Sequence, residues 1–295
     1  MDAISVAVRR GSFVESVHVV HAVAVQDAAV VAAAGDPSFV TSLRSSAKPF
    51  QALPLVRARD DLDAADIAIA SASHRAEPEQ IEAVRRLLAK APAREEELEL
   101  GIQEGRPPEP IYHNCSGKHA GMLATCRARG WAAEGYRLAG HPLQDEIWAE
   151  IAAAAAVDAD AVETGLDGCG VVCFALSLER VAAMFSRLES REGGERVAGA
   201  MRAHPALVGG ASRPDTELMQ TLPGWIAKGG AEGLFCAAGP GGIGVALKAQ
   251  DGSYRALRPA IASFLARLGY ELDGFAVVPL RNSRGDPVGD LAVDP

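Results

Sequence analysis

The sequence lacks the features on which several classes of protein depend. It has no uncharged apolar run of about 18 residues, which excludes a membrane-spanning helix. It has no run of lysine and arginine with interleaved aromatics, and its formal net charge of -9 would repel a phosphate backbone. The N-terminal segment MDAISVAVRRGSF contains no continuous apolar stretch followed by a small-residue cleavage site. We therefore expect a cytoplasmic protein whose partners include neither nucleic acid nor membrane.

Cysteine is scarce, odd in number and scattered along the chain. The five cysteines are Cys115, Cys126, Cys169, Cys173 and Cys236. This scatter differs from the cysteine framework of a small secreted domain stapled by disulfides. Reduced thiols, some of them bound to metal, are the better prediction.

The chain does have enzyme size and a globular composition. Its 295 residues are 48% hydrophobic and 23% charged, which excludes a disordered chain and allows a core large enough to position a buried active site. We find no internal repeat, low-complexity linker or domain boundary. We therefore predict a single catalytic domain over residues 1–295.

The hydrophobic pattern predicts strands near both ends of the chain and helices in the middle. Strands are predicted over residues 17–25, 29–34, 233–238 and 242–248, with a last hairpin turning at 282–286. Helices are predicted over 46–58, 78–90, 118–129, 142–156, 176–190, 196–204 and 257–268. Residues 67–73 fit a short strand or a buried segment. The terminal segments, about 1–45 and 225–295, are therefore expected to share one sheet around a mostly helical middle.

Two short motifs suit nucleophilic catalysis by serine and lysine. In Ser45-Ser46-Ala47-Lys48, positions i and i+3 lie on one face of a helical turn, so Lys48 can reach the Ser45 hydroxyl. A lysine acts as a base only where burial or a neighbouring cation destabilises its ammonium form. In Lys228-Gly229-Gly230, an edge strand could place a second ammonium near the first. Taken alone, the first motif fits a helix N-cap and the second fits a turn.

A second pair of motifs carries potential metal ligands. Cys115 and Lys118, in His113-Asn114-Cys115-Ser116-Gly117-Lys118-His119, are spaced like a C-x-x-C pair in which an amine replaces one thiolate. Cys169, in the turn Asp167-Gly168-Cys169-Gly170, could complete such a site and leave a fourth position open. The alternatives are a packed Cys115 with a solvated Lys118, or a pair of Cys169 with Cys173. Cys126 and Cys236 fit the core.

Together these segments resemble the L-asparaginase type II family first known from rhizobia, also called the thermolabile asparaginases. The resemblance covers nearly the whole chain, with the motifs in family order, and HNCSGKHAGML is highly specific. The matching segments are Arg10-Gly11, Glu15-Ser16-Val17-His18, RSSAKPFQALPLV from Arg44, Ala72-Ser73-His74, HNCSGKHAGML from His113, LDGCG from Leu166, RPDTELM from Arg213 and KGGAEGLFCAAGPGGIGVALK from Lys228.

The resemblance implies both a fold and an activity. The fold would be of the α/β (α+β) class, akin to serine β-lactamases and penicillin-binding proteins, with a mainly antiparallel sheet flanked by helices plus a helical lobe. The activity would be hydrolysis of L-asparagine to L-aspartate and ammonia by a homodimer. Two alternatives stay open: a glutaminase or other amidase on the same scaffold, and a non-catalytic protein that binds zinc or an amino acid.

The resemblance also assigns roles to residues of this chain. It implies catalytic roles for Ser45, Lys48, Ser73 and Lys228, and zinc ligation by Cys115, Lys118 and Cys169. It implies substrate binding by Arg44, His74, Asn114, Asp167, Arg213 and Asp215. The chain departs from the family pattern at Arg75-Ala76-Glu77, where smaller polar residues are common, and at Gly229, where many relatives carry threonine or serine. The second departure removes a hydroxyl that could bind the substrate carboxylate.

Overall fold

A computed structural model describes residues 2–294. Its strands, numbered in chain order, are β1 (Ile4–Arg10), β2 (Phe13–Gln26), β3 (Ala29–Ala34), β4 (Val40–Ser42), β5 (Glu163–Leu166), β6 (Val172–Ser177), β7 (Ile226–Gly229), β8 (Leu234–Gly239), β9 (Ile243–Ala249), β10 (Val277–Arg281) and β11 (Pro287–Val293). Its α-helices are α1 (Lys48–Gln51), α2 (Leu53–Ala58), α3 (Ala64–Ala70), α4 (Pro78–Lys90), α5 (Ser116–Arg129), α6 (Pro142–Ala155), α7 (Leu178–Arg187), α8 (Gly194–Ala203), α9 (Pro205–Gly209), α10 (Pro214–Thr221) and α11 (Leu257–Ala266).

Strands from both ends of the chain form one eight-stranded sheet. The strand order is β10-β11-β1-β2-β9-β8-β7, and β3 pairs with β2 beside this path. All these pairs are antiparallel. The 14-residue strand β2 joins the two halves, because it pairs with β1 along its first part and with β9 along its second. β7 lies at an edge of the sheet.

The centre of the sheet is covered on both faces. Every residue of β8 and β9 is buried. Because successive side chains of a strand point to opposite faces, such continuous burial requires cover on both sides. Helix α7 packs on β2, β8 and β9, and α11 packs on β1, β9 and β11. The prediction of a mainly antiparallel sheet flanked by helices is confirmed.

The middle of the chain forms a helical lobe with a small sheet of its own. Helix α5 runs through this lobe, in contact with α2, α3, α4 and α6, and its first 11 residues, from Ser116 to Cys126, are all buried. The small sheet has the strand order β4-β6-β5. No helix among residues 2–294 has the length and apolar character needed to cross a membrane.

Three predicted elements differ from the structure. The strand considered for residues 67–73 is wrong, because Asp63 and Asp66 form a capping box that starts helix α3 at Ala64. The helix predicted over 176–190 begins only at Leu178, since the preceding residues belong to β6. The helix predicted over 46–58 is divided at Ala52 into α1 and α2, and Pro54 lies in the first turn of α2.

Candidate active site

The edge strand β7 carries Lys228 to the boundary between the large sheet and the helical lobe. The Lys228 side chain is fully buried, and its Nζ donates hydrogen bonds to Ser73 Oγ at 2.8 Å and to the Gly229 carbonyl at 2.9 Å. The Ser46 hydroxyl donates to the Lys228 carbonyl at 3.1 Å. This last bond joins the 3-10 turn of residues 44–47 to the sheet.

Lys48 reaches the same serine from the opposite side of the boundary. It is fully buried at the start of α1, and its Nζ donates to the Ala72 carbonyl at 2.6 Å and to Ser73 Oγ at 2.9 Å. The Ser73 backbone N–H donates to the Val208 carbonyl at 2.9 Å, which fixes the segment after α3. One hydroxyl therefore lies between two buried amines.

Burial changes the proton affinity of both amines. Loss of water and the charge of Lys48 together lower the pKa of Lys228 to about 7, against the opposing effect of Asp215. Burial also lowers the pKa of Lys48. The Lys48–Ser73–Lys228 cluster can therefore hold a neutral amine close to neutral pH, which is what a general base requires.

Ser45 precedes Lys48 in the same turn, and its carbonyl accepts from the Lys48 backbone N–H, but its hydroxyl is not bonded to the Lys48 amine. Its hydroxyl is half-buried and makes no hydrogen bond within residues 2–294. The residue before it, Arg44, has a left-handed backbone with φ of 44°. Such strain in a non-glycine residue persists only where surrounding contacts enforce it. Here Arg44 Nε donates to Asp167 Oδ1 at 2.7 Å, so these two predicted substrate-binding residues pair with each other.

The predicted metal ligands converge beside this cluster. Cys115 and Lys118 lie at the start of α5, and Lys118 Nζ is 3.0 Å from Cys169 Sγ. Cys115 Sγ lies 3.2 Å from Asn114 Oδ1. The two thiols interact with each other and both influence the pKa of Lys48. Cys126, Cys173 and Cys236 lie on α5, β6 and β8, and all five thiols are free.

The thiols and the amine adjust one another's proton affinity. Hydrogen bonding from Cys169 holds the pKa of Cys115 well below its usual range, with support from the charges of Lys48 and Lys118. The same bond raises the pKa of Cys169. Burial opposes the charge of Lys118, yet the adjacent thiols raise the pKa of this lysine above its ordinary value. These directions favour a charged Lys118 and make Cys115 the more acidic of the two thiols.

Two thiolates and an amine suit a thiophilic metal such as zinc, with one condition. Residues 2–294 contain no group of three or more His, Cys, Asp or Glu side chains arranged to hold a metal, so a site here depends on Lys118 as the third ligand. Ligands of tetrahedral zinc lie about 3.6 Å apart for one nitrogen and one sulfur. The 3.0 Å between Lys118 Nζ and Cys169 Sγ would therefore widen on binding, and Lys118 would lose a proton.

His74 and Asn114 connect the two clusters through their backbones. The His74 N–H donates to the Asn114 carbonyl at 3.1 Å. The His74 ring is buried, with Nε2 2.8 Å from Ser116 Oγ and Nδ1 accepting from the Ala76 N–H at 3.1 Å. Burial lowers the pKa of His74 to about 3, so the ring is neutral. With both ring nitrogens bonded, His74 orients the segment that carries Ser73.

Arg213 and Asp215 lie on the other side of Lys228. Asp215 is buried, and its Oδ2 accepts from the Gly229 N–H at 3.2 Å and lies 3.9 Å from Lys228 Nζ. Arg213 stacks 4.5 Å above the ring of Tyr254 and donates to its hydroxyl at 3.0 Å. The structure therefore brings this predicted pair to the edge of β7.

Two neighbouring residues have no role in the sequence prediction. His119 interacts with Cys169, and its Nδ1 lies 2.7 Å from Tyr136 Oη. Because His119 follows Lys118 in the specific motif HNCSGKHAGML, the sequence could have indicated that it lies near the predicted metal ligands. Tyr254 contacts Arg213 from a segment with no motif, so nothing in the sequence indicated it.

Comparison with solved structures shows a shared fold. The native form of a protein named Mglu aligns with a TM-score of 0.51 at 14% sequence identity, covering 90% of this chain and 70% of that one. A β-lactamase from Mycobacterium bovis aligns with a TM-score of 0.32 at 17% identity, covering 78% of this chain and 86% of that one. At such identities, the likeness to Mglu concerns the fold alone.

Sequence comparison identifies the family. A search of curated protein sequences gave no significant match. The family described as L-asparaginase II, however, matches residues 6–293, which is nearly the whole chain. The motifs around both clusters lie within this match. The chain belongs to the L-asparaginase II family.

Proposed function

We propose that this chain hydrolyses L-asparagine to L-aspartate and ammonia through an ester formed on Ser45. Membership of the family makes it an amidohydrolase of the asparaginase type. The observation that carries the finer proposal is the Ser73 hydroxyl, which lies 2.9 Å from Lys48 Nζ and 2.8 Å from Lys228 Nζ. Two buried amines joined by one hydroxyl form a route by which a proton can pass from one side of a substrate to the other.

In the first half of the reaction, a neutral Lys48 accepts the proton of Ser45. Ser45 Oγ then attacks the side-chain amide carbon, and backbone N–H groups stabilise the oxyanion. The carbon–nitrogen bond breaks, and the leaving nitrogen takes a proton through Ser73 to depart as ammonia. In the second half, water attacks the ester, and Ser45 regains a proton as L-aspartate leaves. General base assistance of this kind accelerates a step by about 10²–10⁴-fold.

Zinc has a supporting role in this proposal. Cys115, Lys118 and Cys169 would hold the ion, which supplies positive charge for binding or orienting the α-amino or α-carboxylate end of the substrate. Ser45 already provides the nucleophile, so a metal-activated water would be redundant. Positioning of this kind changes KM more than kcat.

The remaining parts of the proposal concern the whole chain. We propose that residues 1–295 act as one catalytic domain, which is supported by the sheet shared between residues 4–34 and 226–293. We also propose a homodimer, which the family resemblance supports, and a cytoplasmic location, which the five scattered and free cysteines suit.

Ammonia release from L-asparagine and L-glutamine, measured side by side, tests the substrate. We expect a preference for asparagine, and a preference for glutamine would identify the alternative amidase. Pocket depth separates the two substrates, and one methylene is worth about 1–3 kcal/mol.

Two serine variants test the nucleophile. Ser45→Ala should lower kcat by about 10⁴-fold or more and abolish the ester seen by mass spectrometry after rapid acid quenching. Ser186→Ala, on α7 and bonded to the Ala183 carbonyl, is the matched control with unchanged turnover. An ester that persists in the Ser45 variant and maps to Ser73 would exclude the assignment.

A further inference from the structure

Gly229 lies beside Lys228 at the edge of β7, and because it has no side chain, another group can occupy the space next to it. A Cβ built on Gly229 would lie 2.7 Å from Tyr254 Oη and 3.6 Å from Asp215 Oδ2. A carbon cannot approach an oxygen that closely without repulsion. The Tyr254 hydroxyl therefore occupies the volume that a serine or threonine at position 229 would need.

Tyr254 is held rigidly in this position. It opens the 3-10 turn Tyr254–Ala256 at the start of α11, and its hydroxyl accepts a hydrogen bond from Arg213 at 3.0 Å. The Arg213 guanidinium also covers its ring at 4.5 Å. The proton of this hydroxyl has no acceptor within residues 2–294. The tyrosine thus presents a fixed donor that is free to bind a ligand.

The charges around this hydroxyl are incompletely paired. Arg213 Nε and Asp215 Oδ1 are buried and have no hydrogen-bond partner among the described residues. The two atoms are 3.9 Å apart, beyond direct hydrogen-bond distance. Buried polar atoms without partners are rare, and these two have opposite charge. A free α-amino acid carries a carboxylate and an ammonium on one carbon, so it complements both atoms together.

We propose that Tyr254 is a specificity-determining residue that binds the α-carboxylate of the substrate. Its hydroxyl donates to that carboxylate beside Arg213, while Asp215 accepts from the α-ammonium. The inference rests on the proposed function, because it concerns the same amide substrate. It means that this chain takes its carboxylate-binding hydroxyl from the turn before α11 and not from position 229 on the strand.

The first test removes only the hydroxyl. Tyr254→Phe should raise KM for L-asparagine by about tenfold or more and leave kcat within about threefold, since a hydrogen bond to a charged group is lost. For 3-aminopropanamide, which is asparagine without its α-carboxylate, the wild type and the variant should have the same KM. Tyr270→Phe is the matched control: its ring packs against Trp225 and it should leave both substrates unaffected.

The second test moves the hydroxyl to the strand. Gly229→Ser alone should raise KM, because the new Cβ meets Tyr254 Oη. The double variant Gly229→Ser/Tyr254→Phe removes that contact and supplies a new hydroxyl, so its KM should return to within about threefold of the wild-type value. If the double variant has a KM as high as the worse single variant, with thermal unfolding unchanged, a hydroxyl at position 229 cannot replace the one on Tyr254, and the inference is wrong.

Binding measurements separate failure of this inference from failure of the proposed function. Titration calorimetry compares L-aspartate with 3-aminopropanoate, which lacks the α-carboxylate. If asparagine is turned over and Tyr254→Phe changes neither KM nor aspartate affinity, the inference is wrong and the function stands. If asparagine is not turned over but aspartate binds about tenfold more weakly to the variant, the function is wrong and the inference stands. If the wild type neither turns over asparagine nor binds aspartate, both are wrong.

Discussion

Two clusters of buried lysine lie side by side in this protein, and their neighbours give them opposite properties. Lys228 bonds to a hydroxyl and a carbonyl, and burial lowers its pKa to about 7. Lys118 is just as inaccessible to water, yet the thiols beside it raise its pKa. For Lys228 the loss of water outweighs the attraction of the Asp215 carboxylate 3.9 Å away, whereas for Lys118 the attraction of the closer thiols outweighs the loss of water.

The comparison shows how one small region separates two kinds of chemistry. The Lys48–Ser73–Lys228 cluster favours neutral amines, which accept protons. The Cys115–Lys118–Cys169 cluster favours an ion pair, which gives a metal or an anion a charged environment. The two clusters are adjacent, because Cys115 and Cys169 both raise the pKa of Lys48. A change in the charge of one cluster therefore changes proton affinities in the other.

The largest effect expected to distinguish the two clusters comes from replacing one lysine of each in the same way. Lys48→Met keeps the length of the side chain but removes the base, so kcat should fall by about 10²–10⁴-fold. Lys118→Met should keep kcat within about tenfold and raise KM instead. Initial rates of ammonia release for both variants, with unfolding curves as the check on folding, measure this. Equal losses of kcat in the two variants would contradict the proposal that Lys48 acts in the chemical step and Lys118 in substrate binding.

The next effect concerns the metal and uses two cysteines four residues apart. Cys169→Ala should weaken zinc binding by about 100-fold or more, because it removes one of only three ligands. Cys173→Ala is the matched control, since this thiol lies on β6 outside the cluster, and it should leave the affinity unchanged. Competition with a chromogenic chelator measures both affinities. Equal zinc affinity in the wild type and the Cys169 variant would exclude the predicted ligand set.

A smaller effect concerns pH and the Asp215 carboxylate near Lys228. Lys228 shares the Ser73 hydroxyl with the base Lys48, and a protonated Lys228 disfavours a second proton on this cluster, so kcat/KM should rise about tenfold per pH unit below pH 7 and level off above it. The charge of Asp215, 3.9 Å away, raises the pKa of Lys228 against the effect of burial. Asp215→Asn should therefore move the acid limb to lower pH, by about one unit. A limb that stays in place, or moves to higher pH, would contradict Lys228 as the titrating group.

Sequence motifs predicted which residues come together in the two clusters better than they predicted the bonds between them. Ser45 and Lys48 suit each other by helical spacing, yet Lys48 bonds to Ser73, which lies 25 positions on. Lys228 reaches the same hydroxyl from 155 positions away. Local spacing sets which face of a turn a side chain occupies, but tertiary packing decides which partner is nearest. Pairings of this kind are therefore outside what spacing can show.

The same limit applies to the fold: the local sequence pattern predicts some strands but not those that depend on contacts between distant segments. Strands with strong alternation or continuous apolar character, such as β3, β8 and β9, lie where the pattern predicted them. The exposed strand β5 has too little apolar character to be recognised, and it exists because β6 pairs with it. Tyr254 belongs with these cases, since its hydroxyl reaches Gly229 from a turn that lies far along the chain.

The smallest expected effect is on stability and separates structural from catalytic hydroxyls. Tyr136 is fully buried behind the cysteine cluster, and its hydroxyl lies 2.7 Å from His119 Nδ1 and accepts from the Glu99 N–H at 3.0 Å. Tyr136→Phe removes the bond to the buried His119 ring and to the half-buried Glu99 N–H, so the free energy of unfolding should fall by about 1–3 kcal/mol. Urea unfolding measures this, and kcat at a temperature below the transition should be unchanged. A loss of kcat comparable to that of Lys48→Met would mean that the cysteine cluster takes part in the chemical step, and the contrast between the two clusters would no longer hold.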